Sequence, residues 1–198
     1  RERKPVLILA PLAVAAQTAQ EGADIGVNVT VCRDDMDVRD GVNITNYDRL
    51  HRFDPARFAG VVLDESSIIK HHDAKTLRIL MDAFSRTPFR LCASATPAPN
   101  DWTELGTHAE FLGICRRVEM LSEFFTHDGG STQNWRLKGH AENEFWKWMA
   151  SWAVMIRKPS DLGYANDGYD LPPLNQVQHL VAADYAPSLD TGLLFPME

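Results

Sequence analysis

Residues 61–67 read VVLDESS. Three apolar residues run straight into two adjacent carboxylates, Asp64 and Glu65, and two hydroxyl residues follow. Two readings are open at this point. In the plain one, a buried strand has reached the surface and a polar turn begins. In the chemical one, the strand delivers a metal-binding carboxylate and a water-orienting carboxylate to the edge of a sheet. Asp64 can then hold Mg²⁺, directly or through water, and Glu65 can orient an attacking water. A second polar tip, Ser94-Ala95-Thr96, ends the run FRLCASAT at residues 89–96, and its hydroxyls can sense that water or a terminal phosphate by hydrogen bonding. A third candidate tip is Ala10-Pro11, which closes the run VLILA. Each stretch alone is a weak signal, because many strands end in Asp and a Ser-Ala-Thr-Pro turn is common.

These tips matter only if the chain places them at one edge. Strand signals fall at 6–9, 27–31, 42–45, 60–65 and 89–96; 27–31 alternates, whereas 6–9 and 60–65 are apolar runs, the pattern of strands buried on both faces. Helix-forming residues fill 12–24 and stop at Gly26. Asp73 can cap a helix that carries the stripe Leu77, Leu80, Met81 and Phe84. The order β-α-β-β-β-α-β implies an α/β fold with a mostly parallel sheet flanked by helices. In such a sheet, ligands sit outside the carboxyl ends of the strands. About ten residues separate Val31 from Val42, close to the minimum for a parallel crossover. Either a short helical turn within 34–39 or an irregular strand is expected there.

After residue 100 the character changes, and a small helical and hairpin appendage is expected. Asp101 can cap a helix through Phe111, and 119–125 is helical in pattern. Residues 127–140 are turn-rich around Gly129 and Gly130. Residues 141–156 form a helix pattern with Phe145, Trp148, Met149 and Trp152 on one face. A loop at 158–175 and an edge strand at 176–182 follow. His71, His72 and Asp73 invite a metal reading, but no third partner has ligand spacing, so helix-start polarity is the better account. His108 reads as a lone structural histidine. The tryptophans 135, 146, 148 and 152 can stack on bases, but their helical spacing fits a core.

The bulk numbers set the class. The chain has 198 residues, 44% hydrophobic and 24% charged, which suits a soluble protein with a real core. No apolar run reaches the ~20 residues a membrane span needs. Three cysteines without paired spacing fit reduced thiols in a cytoplasmic protein. A net charge of −7 argues against a dedicated nucleic-acid module without excluding a local basic patch.

Order and spacing make the combination specific. Taken together, VLILAP, NITNYDRL, VVLDESSIIKHHDAKT, LCASATPAPNDWTELG and IRKPSDLG with DLPPL resemble, in order, the motifs of the first RecA-like domain of superfamily-two helicases and Swi/Snf-type translocases. The likeness spans roughly residues 5–175. The WRLKGHAENEFWKW stretch is most similar to helicases carried by phages and prophages. The resemblance implies a RecA-like fold and an ATP hydrolase working with Mg²⁺. Asp64 and Glu65 would be its catalytic residues, with Asp64 also at the metal, and Ser94 and Thr96 would couple hydrolysis to movement. It further implies a nucleic-acid partner, DNA favoured over RNA, with Pro11, Thr45 and Asn46 at the nucleic acid; for Thr45 and Asn46, simple turn closure is the open alternative. A second RecA-like domain would be the other partner. The location would be the cytoplasm of a bacterium or of a phage-infected host.

On this resemblance, residues 1–115 are the motor core, 116–175 a helical appendage and hinge lead-in, and 176–198 a strand and tail toward the second domain. No G-x-x-x-x-G-K-[ST] loop occurs within the 198 residues, and the family's phosphate loop would lie before Arg1. The segment is thus expected to be internal to a motor. Ser67 stands where the family carries a coupling His or Asp. Two rival expectations are the motor subunit of a restriction system and a degenerate nucleic-acid- or protein-binding module.

Overall fold

The computed structural model describes residues 4–71, 74–127, 135–169 and 172–179. The chain divides into two compact units, Arg1–Ala153 and Val154–Glu198. The first carries a five-stranded, all-parallel sheet of β1 (Val6–Ala10), β2 (Val29–Val31), β3 (Val42–Asn46), β4 (Gly60–Asp64) and β5 (Phe89–Ala93), in the order β2-β3-β1-β4-β5. Helices α1 (Ala15–Asp24), α2 (Lys75–Phe84) and α3 (Leu105–Leu112) flank it. This is the expected α/β architecture, and it is consistent with a RecA-like fold.

The apolar runs explain why the central strands are central. Leu7 and Leu9 of β1, Ile44 of β3 and Val61 and Leu63 of β4 are essentially inaccessible. Leu77, Leu80 and Phe84 of α2 bury the expected stripe against the same core, joined by Phe53, Phe58 and Phe111. Each such side chain stabilises the fold by roughly 1.5–3 kcal/mol when fully buried. The cap expected from Asp73 lies outside the described residues. At the N-terminal side, Gly22 of α1 sits so close to β2 that a Cβ there would lie 2.8 Å from the Val27 carbonyl oxygen and 2.8 Å from a Val29 methyl. Only glycine permits that approach.

The short β2–β3 link is solved as the first of the two expected alternatives, by a single 3₁₀ turn, Asp35–Asp37, capped by the Asp34 side chain. Buried Asn43 then clamps the return. The Arg39 N–H donates to its Oδ1 at 2.9 Å, and its Nδ2 donates to the Arg39 carbonyl at 2.8 Å. A buried carboxamide satisfied in both directions fixes the crossover without a helix.

Beyond the sheet, α4 (Arg117–Phe124) runs into an antiparallel pair, β6 (Phe125–His127) and β7 (Trp135–Leu137), and α5 (Glu142–Ala150) follows. Gly129 and Gly130 lie outside the described residues. Leu105, Met120, Leu121, Phe124, Phe125 and Phe145 form a second core, with Trp135, Trp148 and Met149 packed against it. The tryptophans thus serve mainly as packing groups, although Trp146 stays 39% exposed, edge-on to Trp102.

Two expectations need correction. The helix expected over 141–156 stops at Ala150. Ser151 draws its N–H and hydroxyl back onto the Trp148 carbonyl, which tightens the last turn, and Val154, Met155 and Ile156 beyond it are exposed. An apolar pattern without a surface to cover does not sustain a helix. The strand expected over 176–182 is also not formed at 176–179, where the chain is exposed and irregular, and 180–182 lie outside the described residues. Alternation alone does not make a strand without a partner. Within the second unit, a 3₁₀ turn at Pro159–Leu162 ends on Gly163 at φ +83°. Among the described residues, no helix is long and apolar enough to cross a membrane.

Candidate active site

Because all five strands are parallel, their carboxyl ends share one edge. Register places Ala10 of β1 beside Asn46 of β3, Leu9 of β1 beside Leu63 of β4, and Asp64 of β4 beside Ala93 of β5. The three tips singled out from the sequence therefore meet along one line, with the Asp64-Glu65 turn directly next to Ser94.

The turn after β4 is unusual in its backbone. Glu65 has φ +53° and ψ +55°, and it is the sole non-glycine residue at positive φ among the described residues. A left-handed conformation costs an ordinary residue roughly 1 kcal/mol or more and persists only where its surroundings impose it. The restraints are visible on both sides. The Tyr47 hydroxyl donates to the Asp64 carbonyl at 2.7 Å, and the Glu65 N–H donates to Asp64 Oδ1 at 3.1 Å. The Glu65 carboxylate is exposed, and its Oε1 accepts from Ser67 Oγ at 2.6 Å and from Ser94 Oγ at 3.1 Å. The acidic turn and the exit of β5 are thus tied through a single carboxylate oxygen.

The loop after Ser94 is ordered by its own polar groups. The Thr96 N–H donates to Ser94 Oγ at 3.1 Å, whereas the Thr96 hydroxyl makes no hydrogen bond among the described residues. Asn100 is clamped to Glu104 by its backbone N–H at 3.3 Å and its Nδ2 at 2.8 Å. Asp101 caps the following turn through the Thr103 N–H at 2.7 Å, as its sequence position suggests. From that turn α3 begins, and its His108 ring approaches Ser66 Oγ at 3.2 Å.

Burial sets the protonation states behind the turn. His108 is held below the ordinary imidazole range mainly by desolvation. Burial pushes the Cys92 thiol up to about 12 and raises Tyr47 as well. These groups stay neutral, so the charges that face solvent here belong to the two carboxylates.

The remaining candidates fall as follows. Pro11 is exposed, one residue past β1. Thr45 is 1% exposed and its hydroxyl lacks a partner among the described residues. Asn46 is 5% exposed and its side chain accepts from the Arg49 N–H at 3.1 Å, closing the turn after β3. His71 is exposed, and His72 and Asp73 lie outside the described residues. The sequence did not single out Tyr47 or Ser66, nor the pairing of His108 with Ser66 across 42 residues. Local spacing carries no trace of that pairing.

Among the described residues there is no group of three or more His, Cys, Asp or Glu side chains that could hold a metal ion. One carboxylate at the site's rim, Asp64, fits a different arrangement. Mg²⁺ keeps much of its water and is usually held by one or two carboxylates together with substrate phosphates. The donor set is therefore compatible with Mg²⁺ arriving with a nucleotide rather than with a resident ion. Compared with known proteins, the chain matches no protein-family model and none of the curated proteins.

Proposed function

We propose that the chain is the first RecA-like part of an ATP-dependent helicase or DNA translocase, in which ATP hydrolysis is coupled to movement on nucleic acid. The observation that carries this reading is the placement of Glu65: an exposed carboxylate at the carboxyl edge of a parallel sheet, forced into a left-handed turn and bonded to Ser94 at the exit of the neighbouring strand. A plain surface turn does not require that strain. In this reading Asp64 binds Mg²⁺ with the nucleotide, and the ion neutralises charge on the phosphates. Glu65 accepts a hydrogen bond from the attacking water and fixes its direction. Ser94 reports the state of that carboxylate to the loop of residues 94–100.

A further observation supports the reading. β5 is an edge strand, yet its Phe89 is 73% and its Leu91 56% exposed. Apolar side chains on an open edge are a liability unless something covers them. That edge lies beside the site and offers the place for a strand that carries a phosphate loop. Nucleic acid, DNA before RNA, and a second RecA-like domain are the partners this function needs.

Separate roles for the two carboxylates provide the test. In the full natural protein, Asp64→Asn weakens Mg²⁺-dependent nucleotide binding measured by calorimetry. Glu65→Gln keeps the shape, leaves binding largely intact and abolishes phosphate release. Equal loss of binding in both variants contradicts the assignment.

A further inference from the structure

Ser66 and His108 form a buried polar contact that the proposed chemistry does not use. Ser66 is 1% exposed and His108 3% exposed. Their separation of 3.2 Å is that of a serine nucleophile and its base. Two facts exclude that role. No substrate reaches a pair this deeply buried, and the ring's other nitrogen faces the Glu104 carbonyl at 3.4 Å rather than a carboxylate. The pair must therefore act on structure.

The direction of the bonds follows from donor chemistry. Two backbone carbonyls face the ring, those of Glu104 and Ser66, and each can only accept; the contact of Nδ1 with Glu104 at 3.4 Å points to a proton on Nδ1. In the neutral ring Nε2 is then an acceptor, and the Ser66 hydroxyl donates to it. The result is a one-way chain from Ser66 in the acidic turn, through His108, to the Glu104 carbonyl at the start of α3.

This chain grips the residue immediately after the strained one. Glu65 is held in its left-handed conformation from both sides, by Tyr47 on the Asp64 carbonyl and by whatever fixes Ser66. The bonds from Ser67 and Ser94 act on its exposed carboxylate, and its backbone is otherwise engaged within the turn, by its N–H on Asp64 Oδ1 and its carbonyl under the Ile68 N–H; the Ser66–His108 bond ties that turn to a separate element. We propose that His108 is a positioning residue for Glu65: by accepting from buried Ser66 it locks the acidic turn to α3 and aims the Glu65 carboxylate. The same helix begins at the Glu104 clamp on Asn100, so one element registers both the acidic turn and the loop of residues 94–100. What Glu65 is aimed at rests on the motor reading; that His108 aims it does not.

The test has two arms on the full natural protein. In the first, long-range ¹H–¹⁵N spectra of selectively labelled histidine read the tautomer of His108 directly. Protonated Nδ1 with bare Nε2 is expected, and protonated Nε2 overturns the proposal even if no variant folds. In the second, Ser66→Ala, His108→Leu and their combination are compared with His108→Gln, whose carboxamide oxygen can still accept from Ser66. The first three should shift the Glu65 and Ser94 amide resonances alike, the double variant no further than either single one, and Gln should restore them. Folded variants that leave those resonances unmoved, or Gln behaving like Leu, overturn it. If the wild-type protein turns over ATP, His108→Leu should lower kcat about tenfold at unchanged KM, as loss of one well-placed hydrogen bond implies. If the wild-type shows no turnover, the motor reading fails while both spectroscopic arms still decide the positioning role.

Discussion

Ser94 and Thr96 sit two residues apart in one loop, and the structure separates them sharply enough to predict different behaviour. Glu65 Oε1 accepts two hydroxyl donors, Ser67 at 2.6 Å and Ser94 at 3.1 Å. Ser67 belongs to the same turn and moves with it. Ser94 belongs to the exit of the neighbouring strand, so its bond alone senses the position of the 94–100 loop relative to Glu65. A hydrogen bond to a charged group contributes about 1.5–3 kcal/mol when well protected. Glu65 is exposed, and solvent screening brings the value down to about 1 kcal/mol. Such a bond, made in one nucleotide state and released in another, shifts the equilibrium between states by about fivefold. Ser94→Ala should therefore cut strand or triplex displacement about fivefold more than it cuts nucleic-acid-stimulated ATP turnover. Thr96→Val should change the ratio of the two rates by less than about twofold, because Thr96 contributes its backbone N–H and not its hydroxyl. Ser94→Thr keeps the hydroxyl and should retain most of the coupling. Both rates are read on one preparation of the full natural protein. If Ser94→Ala lowers them by the same factor, or if Thr96→Val has the larger effect, the relay argument is wrong.

Other outcomes follow from the same geometry. Gly22→Ala should destabilise the fold by about 1–2 kcal/mol, because overpacking against the Val27 carbonyl and Val29 outweighs the ~1 kcal/mol gained in helix propensity; a raised melting temperature would refute the close approach. Burial keeps His108 below its ordinary value of 6.5, so on acidification the unfolded chain takes the proton first. Stability should fall as pH drops from about 6.5 through the lower folded value, by at most ~1.4 kcal/mol per pH unit, and His108→Gln should flatten that slope in urea titrations. An unchanged slope would show that His108 is not held neutral. Residues 1–198 alone should bind ATP poorly, since they contain no G-x-x-x-x-G-K-[ST] loop to cradle its phosphates and the Asp64 carboxylate alone holds Mg²⁺ weakly; micromolar affinity in calorimetry would contradict this.

The parts of the fold that proved legible are those with local causes. Continuous apolar runs marked β1 and β4, alternation marked β2, and the 3.6-residue stripe of Leu77, Leu80 and Phe84 marked α2. Asp101 declared its cap two residues ahead of the Thr103 N–H it receives. The candidate site was legible as types and order: carboxylates at the end of β4, hydroxyls at the end of β5. Its internal wiring was not. Tyr47 reaches the Asp64 carbonyl across 17 residues and His108 reaches Ser66 across 42, and neither distance has a period or spacing that a sequence displays. The positive φ of Glu65 was equally hidden, because glutamate gives no signal for a conformation that tertiary restraints impose. Where the reading failed, at 151–156 and 176–179, the pattern was present but no partner surface was, and patterning without burial does not hold an element together.

The central claim is that Glu65 serves a hydrolytic reaction driven by nucleic-acid engagement. Its most direct measurement is phosphate release from ATP by the full natural protein, with and without duplex or single-stranded DNA, for the wild type and Glu65→Gln side by side. The wild type should show DNA-stimulated turnover. Glu65→Gln should lose that turnover by at least ~10²-fold, as removal of a group that positions the attacking water entails. Turnover that ignores DNA, or a Glu65→Gln variant that hydrolyses ATP at the wild-type rate, would contradict it.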